Sequence, residues 1–201
     1  YICVAAPTQK DVLSGARDIL VEDLGENATL LGRLRDVMQK DALIAARVIA
    51  GKEEVGAKFS DYFDYSEKWA LIPSHRALAI LRASKEEIVT VNIAPDPELG
   101  LPRVVGIVAA AIGIHGEGLG DVWLRGVATW AWNIKLSLSM FVDLMTDLRR
   151  RAHDSAIDVF ARNLRDLLLA APAGPRATLG LDPGIRTGCK IAVVDETGKL
   201  L

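Results

Sequence analysis

The stretch Thr178–Leu201, TLGLDPGIRTGCKIAVVDETGKLL, decides how the chain is read. Thr178–Asp182 is a short apolar run that ends in an acid, and Cys189–Asp195 is a second. Asp195-Glu196-Thr197-Gly198 has the composition of a turn, and Lys199-Leu200-Leu201 starts a third strand. Connections this short join antiparallel neighbours only, because a parallel crossover needs a dozen or more residues. The piece reads as the opening of an antiparallel meander. Pro183 fixes one backbone angle of the first turn, and Gly184 and Gly188 permit positive φ.

A carboxylate at a strand end, here Asp182, points into the mouth of a sheet and can hold a hard cation. Glycines beside it let a phosphate approach the backbone. Two chemistries use such a turn. In nucleases related to ribonuclease H, the first-strand Asp helps hold two metals that clamp a phosphodiester. In the actin and sugar-kinase superfamily, a similar turn cradles ATP phosphates. The turn alone does not separate them. A third reading, an acid that accepts backbone hydrogen bonds in its own turn, stands ahead of a metal ligand, since no partner acids are in view.

Working outward, APAGPRA at 171–177 is a Pro- and Gly-rich linker, and the hydrophobic period changes across it. The spacing predicts a domain boundary at about 175. It divides a helical region over 1–174 from a truncated α/β piece over 175–201. Upstream, Thr8 caps a helix over 8–24 that Gly25 stops, and 27–40 repeats the pattern, so the two form a helical hairpin. ALIAARVIA (42–50) leans to strand, Glu53–Tyr65 to helix, and Ser74 caps a helix over HRALAILRA. EIVTVNI (87–93) alternates as a strand, and the prolines of 94–102 make a loop, after which the chain returns to helix. GIHGEGLG (113–120) is a glycine-rich break. From Asp121 to about Ala170 the period is helical, in one helix or in two that meet near Asp154-Ser155. The fold class is therefore mainly α, a multi-helical region followed by the first antiparallel strands of an α/β domain.

Composition narrows the function. The chain has 201 residues, half of them hydrophobic, and a net charge of −2 with the signs well mixed. A globally basic nucleic-acid footprint is excluded, though local patches remain. Cys3 and Cys189 lie far apart with no ligand spacing, which points to a reduced, cytoplasmic setting. The apolar run Val104–Ile114 is shorter than the roughly 20 residues of a membrane span. The first residue is not Met, so the chain is expected to be a piece of something longer.

Several basic side chains are candidates for phosphate contact. Arg149, Arg150 and Arg151 are the densest run, flanked at helical spacing by Asp143, Asp147, Asp154 and Asp158, so intrahelical pairs are their first explanation. His75, Arg76 and Arg82 share a helix, and Arg186 and Lys190 flank the turn at Asp182. Trp123, Trp130 and Trp132 sit among aliphatic residues and read as core before base-stacking platforms. The G-x-G element of 113–120 has neither the strand nor the acid of a dinucleotide site. His75, His115 and His153 have no ligand spacing, so no metal and no cofactor is assigned.

RNLRDLLLAAPAGPRATLGLDPGIRTGCKIAVVDETGKLL resembles the start of the YqgF-type, ribonuclease H-like domain of the Tex family of bacterial transcription accessory proteins. GARDILVEDLGENATLLGRLR, GKEEVGAKFSDYFDYSE, PSHRALAILR and WLRGVATWAWNIKLSLS resemble the same family upstream. Cys189 stands where a β-branched residue is expected. The resemblance implies a multidomain nucleic-acid-binding protein, with RNA ahead of DNA, and a link to the transcription machinery. It also implies a YqgF-like domain whose nuclease acids are incomplete, hence a non-catalytic scaffold, with Asp182 alone at the first-acid position. The alternatives are a metal-dependent nuclease or resolvase that uses Asp182, an actin-like ATP-binding protein, and a scaffold that touches no nucleic acid.

Overall fold

A computed structural model describes residues 8–114, 116–172, 174–184 and 188–201. Cys3, His115 and Arg186 lie outside the described residues. The chain divides after Ile157 into two units.

The first unit starts with α1 (Gln9–Glu26), closed at its N-terminus by a reciprocal Thr8–Asp11 capping box. Gly25 does not stop this helix. Asn27 does, and it serves two helices at once. Its backbone N–H donates to Leu24 O, and its side-chain Oδ1 accepts from Leu30 N at 2.9 Å to cap α2 (Ala28–Asp41). Gly25 instead leaves room for the aliphatic stem of Lys135, which runs over it to an ion pair with Glu22. A hairpin is not the principal arrangement here, since α1 lies chiefly against α5 and α2 against α4.

Strand β1 (Ala42–Val48) is the centre of a three-stranded antiparallel sheet, ordered β2-β1-β3. Its partners are β2 (Asp64–Lys68) and β3 (Val89–Pro95), with Ile44 opposite Ile93 and Glu67. Ala42, Ile44 and Ala46 are wholly buried, so one face of the central strand is sealed against helices. The helix expected over 53–65 is replaced by a short 3-10 helix (Ala57–Tyr62) and then β2. The helix α3 (Ser74–Lys85) follows Pro73, and Ser74 is its first residue and makes no capping bond. The loop expected over 94–102 is partly helix, because α4 (Gly100–Ile112) begins there and Pro102 fits its first turn, where no N–H partner is needed. Gly113 ends α4 in the left-handed conformation, φ 81°.

The remaining helix is α5 (Leu119–Ala131), a π-helical turn (Trp132–Leu136) and α6 (Ser137–Leu168) in unbroken succession. No break occurs near Asp154-Ser155. Leu136, Met140, Leu144, Leu148 and Ala152 are fully buried at steps of four, with Leu34, Met38 and Ile80 of neighbouring helices in the same core. Past them Ile157 is exposed.

The second unit, Asp158–Leu201, holds the end of α6 and a hairpin of β4 (Thr178–Gly184) and β5 (Gly188–Val194). The strands pair antiparallel, with Leu181 opposite Ile191 and Asp182 opposite Lys190, and Leu200 bridges back to Val194 as the expected third strand begins. Leu179, Leu181 and Ile191 share one face, and all three are more than half exposed. Such a face is half of a core. The architecture is mainly α, followed by the first strands of an α/β domain.

Candidate functional site

Three consecutive arginines on a helix point in three directions, about 100° apart, and the structure separates Arg149, Arg150 and Arg151 accordingly. Arg151 turns inward. Its guanidinium lies 4.4 Å from the ring centre of the buried Trp69 and donates to Trp69 O at 2.9 Å. Arg150 pairs with Asp147 at 2.6 Å, the intrahelical pair that the spacing predicted. Asp143 is taken by Arg35 of α2, at 2.5 Å. Arg149 has no ion pair among the described residues and faces a cleft between α3 and α6.

That cleft has a volume of about 880 Å³. Leu78 and Leu81 of α3 and Phe141 and Met145 of α6 form its apolar floor. Its rim carries Arg82, Lys85, Arg149 and His153, and among the described residues no acid lines it. Glu86, just outside, accepts from Lys58 and from Arg82, and these bonds hold its carboxyl below the ordinary glutamate range. The structure thus brings together two sequence candidates, Arg82 and Arg149. It adds Lys85 and His153, whose signal was spacing alone: Arg82 and Lys85 are three apart, Arg149 and His153 four apart.

The other basic candidates lie elsewhere. His75 is exposed on the first turn of α3, and Arg76 is tied to Glu67 of β2 at 3.5 Å. Lys190 sits across from Asp182, with Nζ 4.0 Å from Oδ2. Of the tryptophans, Trp132 is core, while Trp130 is partly exposed with Arg17 stacked on it at 4.4 Å.

In the second unit Asp182 is a largely exposed strand residue, between Leu181 and Pro183. Gly188 has φ 76°, so it meets the turn's need for a left-handed residue. Among the described residues no group of three His, Cys, Asp or Glu is placed to hold a metal ion, and no helix is long and apolar enough to cross a membrane. Among the described residues the acid with the densest hydrogen bonding is Asp195. Its Oδ1 accepts from Thr197 Oγ1 at 2.7 Å, Thr197 N at 2.8 Å and Lys199 N at 3.0 Å. The Thr197 hydroxyl above all, then the backbone amides, hold its carboxyl below the ordinary 3.8.

Because the folded value is depressed, the turn gains this stabilisation fully above pH 3.8 and loses it as the pH falls through the lower folded value. Asp195→Ala is therefore expected to lower the amide-exchange protection factors of Thr197 and Lys199 at neutral pH, and the wild-type protection factors should approach those of the variant only in acid. Unchanged exchange in the variant would refute the role of the carboxylate.

Comparison with known proteins follows the same division. Residues 4–160 match the family model described as Tex central region-like, and residues 176–201 match that of the Tex protein YqgF-like domain. The chain is 48% identical over 96% of its length to Protein YhgF of Escherichia coli (strain K12), of which it covers 26%. It is 44% identical over its whole length to the transcriptional accessory protein Tex of Neisseria gonorrhoeae, covering 27% of that protein. A distant likeness, 24% identity over 96% of the chain and 20% of the relative, is to human S1 RNA-binding domain-containing protein 1. The chain spans about a quarter of the length of its bacterial relatives. With most of its residues matched to one family model, and with helical region and hairpin both accounted for, the chain belongs to the Tex family of transcription accessory proteins.

Proposed function

We propose that this chain is the non-catalytic frame of a cytoplasmic protein that binds nucleic acid, RNA in preference to DNA, in support of the transcription machinery. The observation that carries the reading is the match of residues 4–160 to the Tex central region, beside relatives named for transcription and for RNA binding. Its domains divide at about 175, with 1–174 the helical region and 175–201 the opening of the YqgF-like domain. Because the chain covers about a quarter of its bacterial relatives, the reading assigns most contacts with nucleic acid to parts of the protein outside these 201 residues. Within the chain, Arg151 is spent on Trp69, which leaves the exposed side chains of His75, Arg76, Arg150 and Lys190, the last three each beside one acid, for auxiliary phosphate contacts.

The test is binding of single-stranded RNA and of DNA by the full-length protein and by this chain across a salt series, with Mg²⁺ or Mn²⁺ present and products run on a gel. The full-length protein should bind without cleavage, with log affinity falling by about 0.7 per decade of salt for each phosphate neutralised. This chain should bind far more weakly. Cleavage that Asp182→Asn abolishes would make the turn a working metal site and overturn the reading.

A further inference from the structure

The cleft between α3 and α6 is not shaped for a phosphate backbone. Its floor is aliphatic and thioether, from Leu78, Leu81 and Met145, with Phe141 the single aromatic ring. A groove for single strands needs successive aromatic platforms. Among the described residues the rim adds three permanent cations and one histidine without a single acid, and Lys85 and Arg149 have no ion pair. Cations left unpaired around an apolar trough are complementary to an amphipathic segment that carries acids beside its apolar stripe.

The cleft also continues along α6. Phe141 is shared with a second hollow of about 380 Å³, lined by Trp132, Leu138 and residues 91–95 of β3. There the charge disappears, and the lining is apolar apart from Asn92 and Ser137. From Leu138 to His153 the trough follows α6 for about 22 Å, the length of a helix of four turns. Its two ends differ, apolar at Leu138 and cationic at Arg149 and His153, so an occupant has a fixed direction.

We infer that the α3–α6 cleft docks an acidic amphipathic peptide segment of a partner protein. Apolar side chains at helical spacing enter between Leu78, Leu81, Phe141 and Met145, and Asp or Glu residues meet Lys85 and Arg149 on the rim. The inference is independent of nucleic-acid binding elsewhere in the protein.

The experiment titrates full-length protein against four labelled probes. They are a 16-residue helical peptide with Leu and Phe on one stripe and Glu flanking it, the same peptide with Lys for Glu, the acidic composition scrambled to destroy the stripe, and a 12-nucleotide single-stranded RNA. The acidic striped peptide is expected to bind at least about tenfold more tightly than its Lys and scrambled versions. Lys85→Glu/Arg149→Glu should weaken it by about tenfold or more, and Arg33→Glu on the exposed side of α2 should leave it unchanged. Lys85 and Arg149 are surface residues, so an unchanged circular dichroism spectrum is expected for the double variant. Met145→Gln tests the floor separately and should weaken the acidic peptide without changing the salt dependence. Failure of the acidic peptide to bind, equal binding of the Lys peptide, or RNA binding that the double variant alone abolishes would each overturn the inference. Loss of RNA binding in the salt series above, with peptide docking intact, would sink only the nucleic-acid reading.

Discussion

Trp69→Ala lowers the unfolding free energy of the helical unit by about 3–5 kcal/mol, the range of a large aromatic removed from a core. Trp69 follows β2 directly. Its backbone N–H donates to Ala42 O at 2.8 Å, so it continues the pairing of the sheet. Its side chain is 4% exposed, and its indole N–H donates to Leu144 O at 3.2 Å. Arg151, two turns further along α6, covers the ring and bonds the Trp69 carbonyl. One residue thus joins the sheet edge to the long helix through packing, a hydrogen bond and a cation–π contact. Urea unfolding followed by circular dichroism reads the effect, with the midpoint falling by about 2 M for a slope near 2 kcal/mol/M. Arg151→Ala should cost about 1–2 kcal/mol. The double variant should cost less than the sum of the two, because both remove the same contact. A loss under about 1 kcal/mol for Trp69→Ala would mean that α6 is held by its aliphatic row alone.

Gly56→Ala destabilises by about 1–3 kcal/mol, the cost of overpacking, although alanine is the smallest change available. A Cβ at Gly56 would fall on Ile88 Cγ2 and lie 2.9 Å from the Lys52 carbonyl. Ile88 is buried and β-branched, so its methyl has little room to move. The Lys52 carbonyl accepts from the Gly56 N–H itself at 2.8 Å, so it is fixed by the turn that the substitution would strain. Gly32→Ala is the internal comparison. It lies within α2 with open space where its Cβ would stand, and should stabilise by about 0.5–1 kcal/mol. Opposite signs for two Gly→Ala changes, read from the same urea curves, would establish close approach as the cause. Equal signs would refute it.

The same glycine explains part of what the sequence left hidden. Glu53–Tyr65 has helical composition, yet Gly56 sits where Ile88 presses on the backbone, and only a 3-10 helix forms before the chain extends into β2. The strands β1 and β3 were legible because their apolar residues cluster or alternate, and α1 because Thr8 and Asp11 announce its start. The prolines of 94–102 concealed only the first turn of α4, since proline at a first turn and proline in a loop look alike. For the cleft, sequence singled out Arg82 and Arg149 but could not join them, because their proximity is set by the packing of α3 on the fold and not by any local period. Nor could it tell that Arg151, beside them, is spent on Trp69.

The π-helical turn at Trp132–Leu136 has a further consequence. A π turn holds one residue more than α geometry would. The extra residue is absorbed as a bulge in the backbone, so the faces of α5 and α6 keep the phase of a regular helix one residue shorter. A one-residue insertion or deletion at the start of α6 has no such outlet and would rotate everything after it by about 100° about the axis. The buried row from Met140 to Ala152 would then swing out of the core, and Phe141, Met145 and Arg149 would leave the cleft. The turn is in effect a slack link in a stiff rod. Removing one residue within it restores a regular helix and keeps the address of every side chain downstream. Among related sequences, a one-residue change of length should therefore be tolerated at 132–136 and not within the buried row that follows.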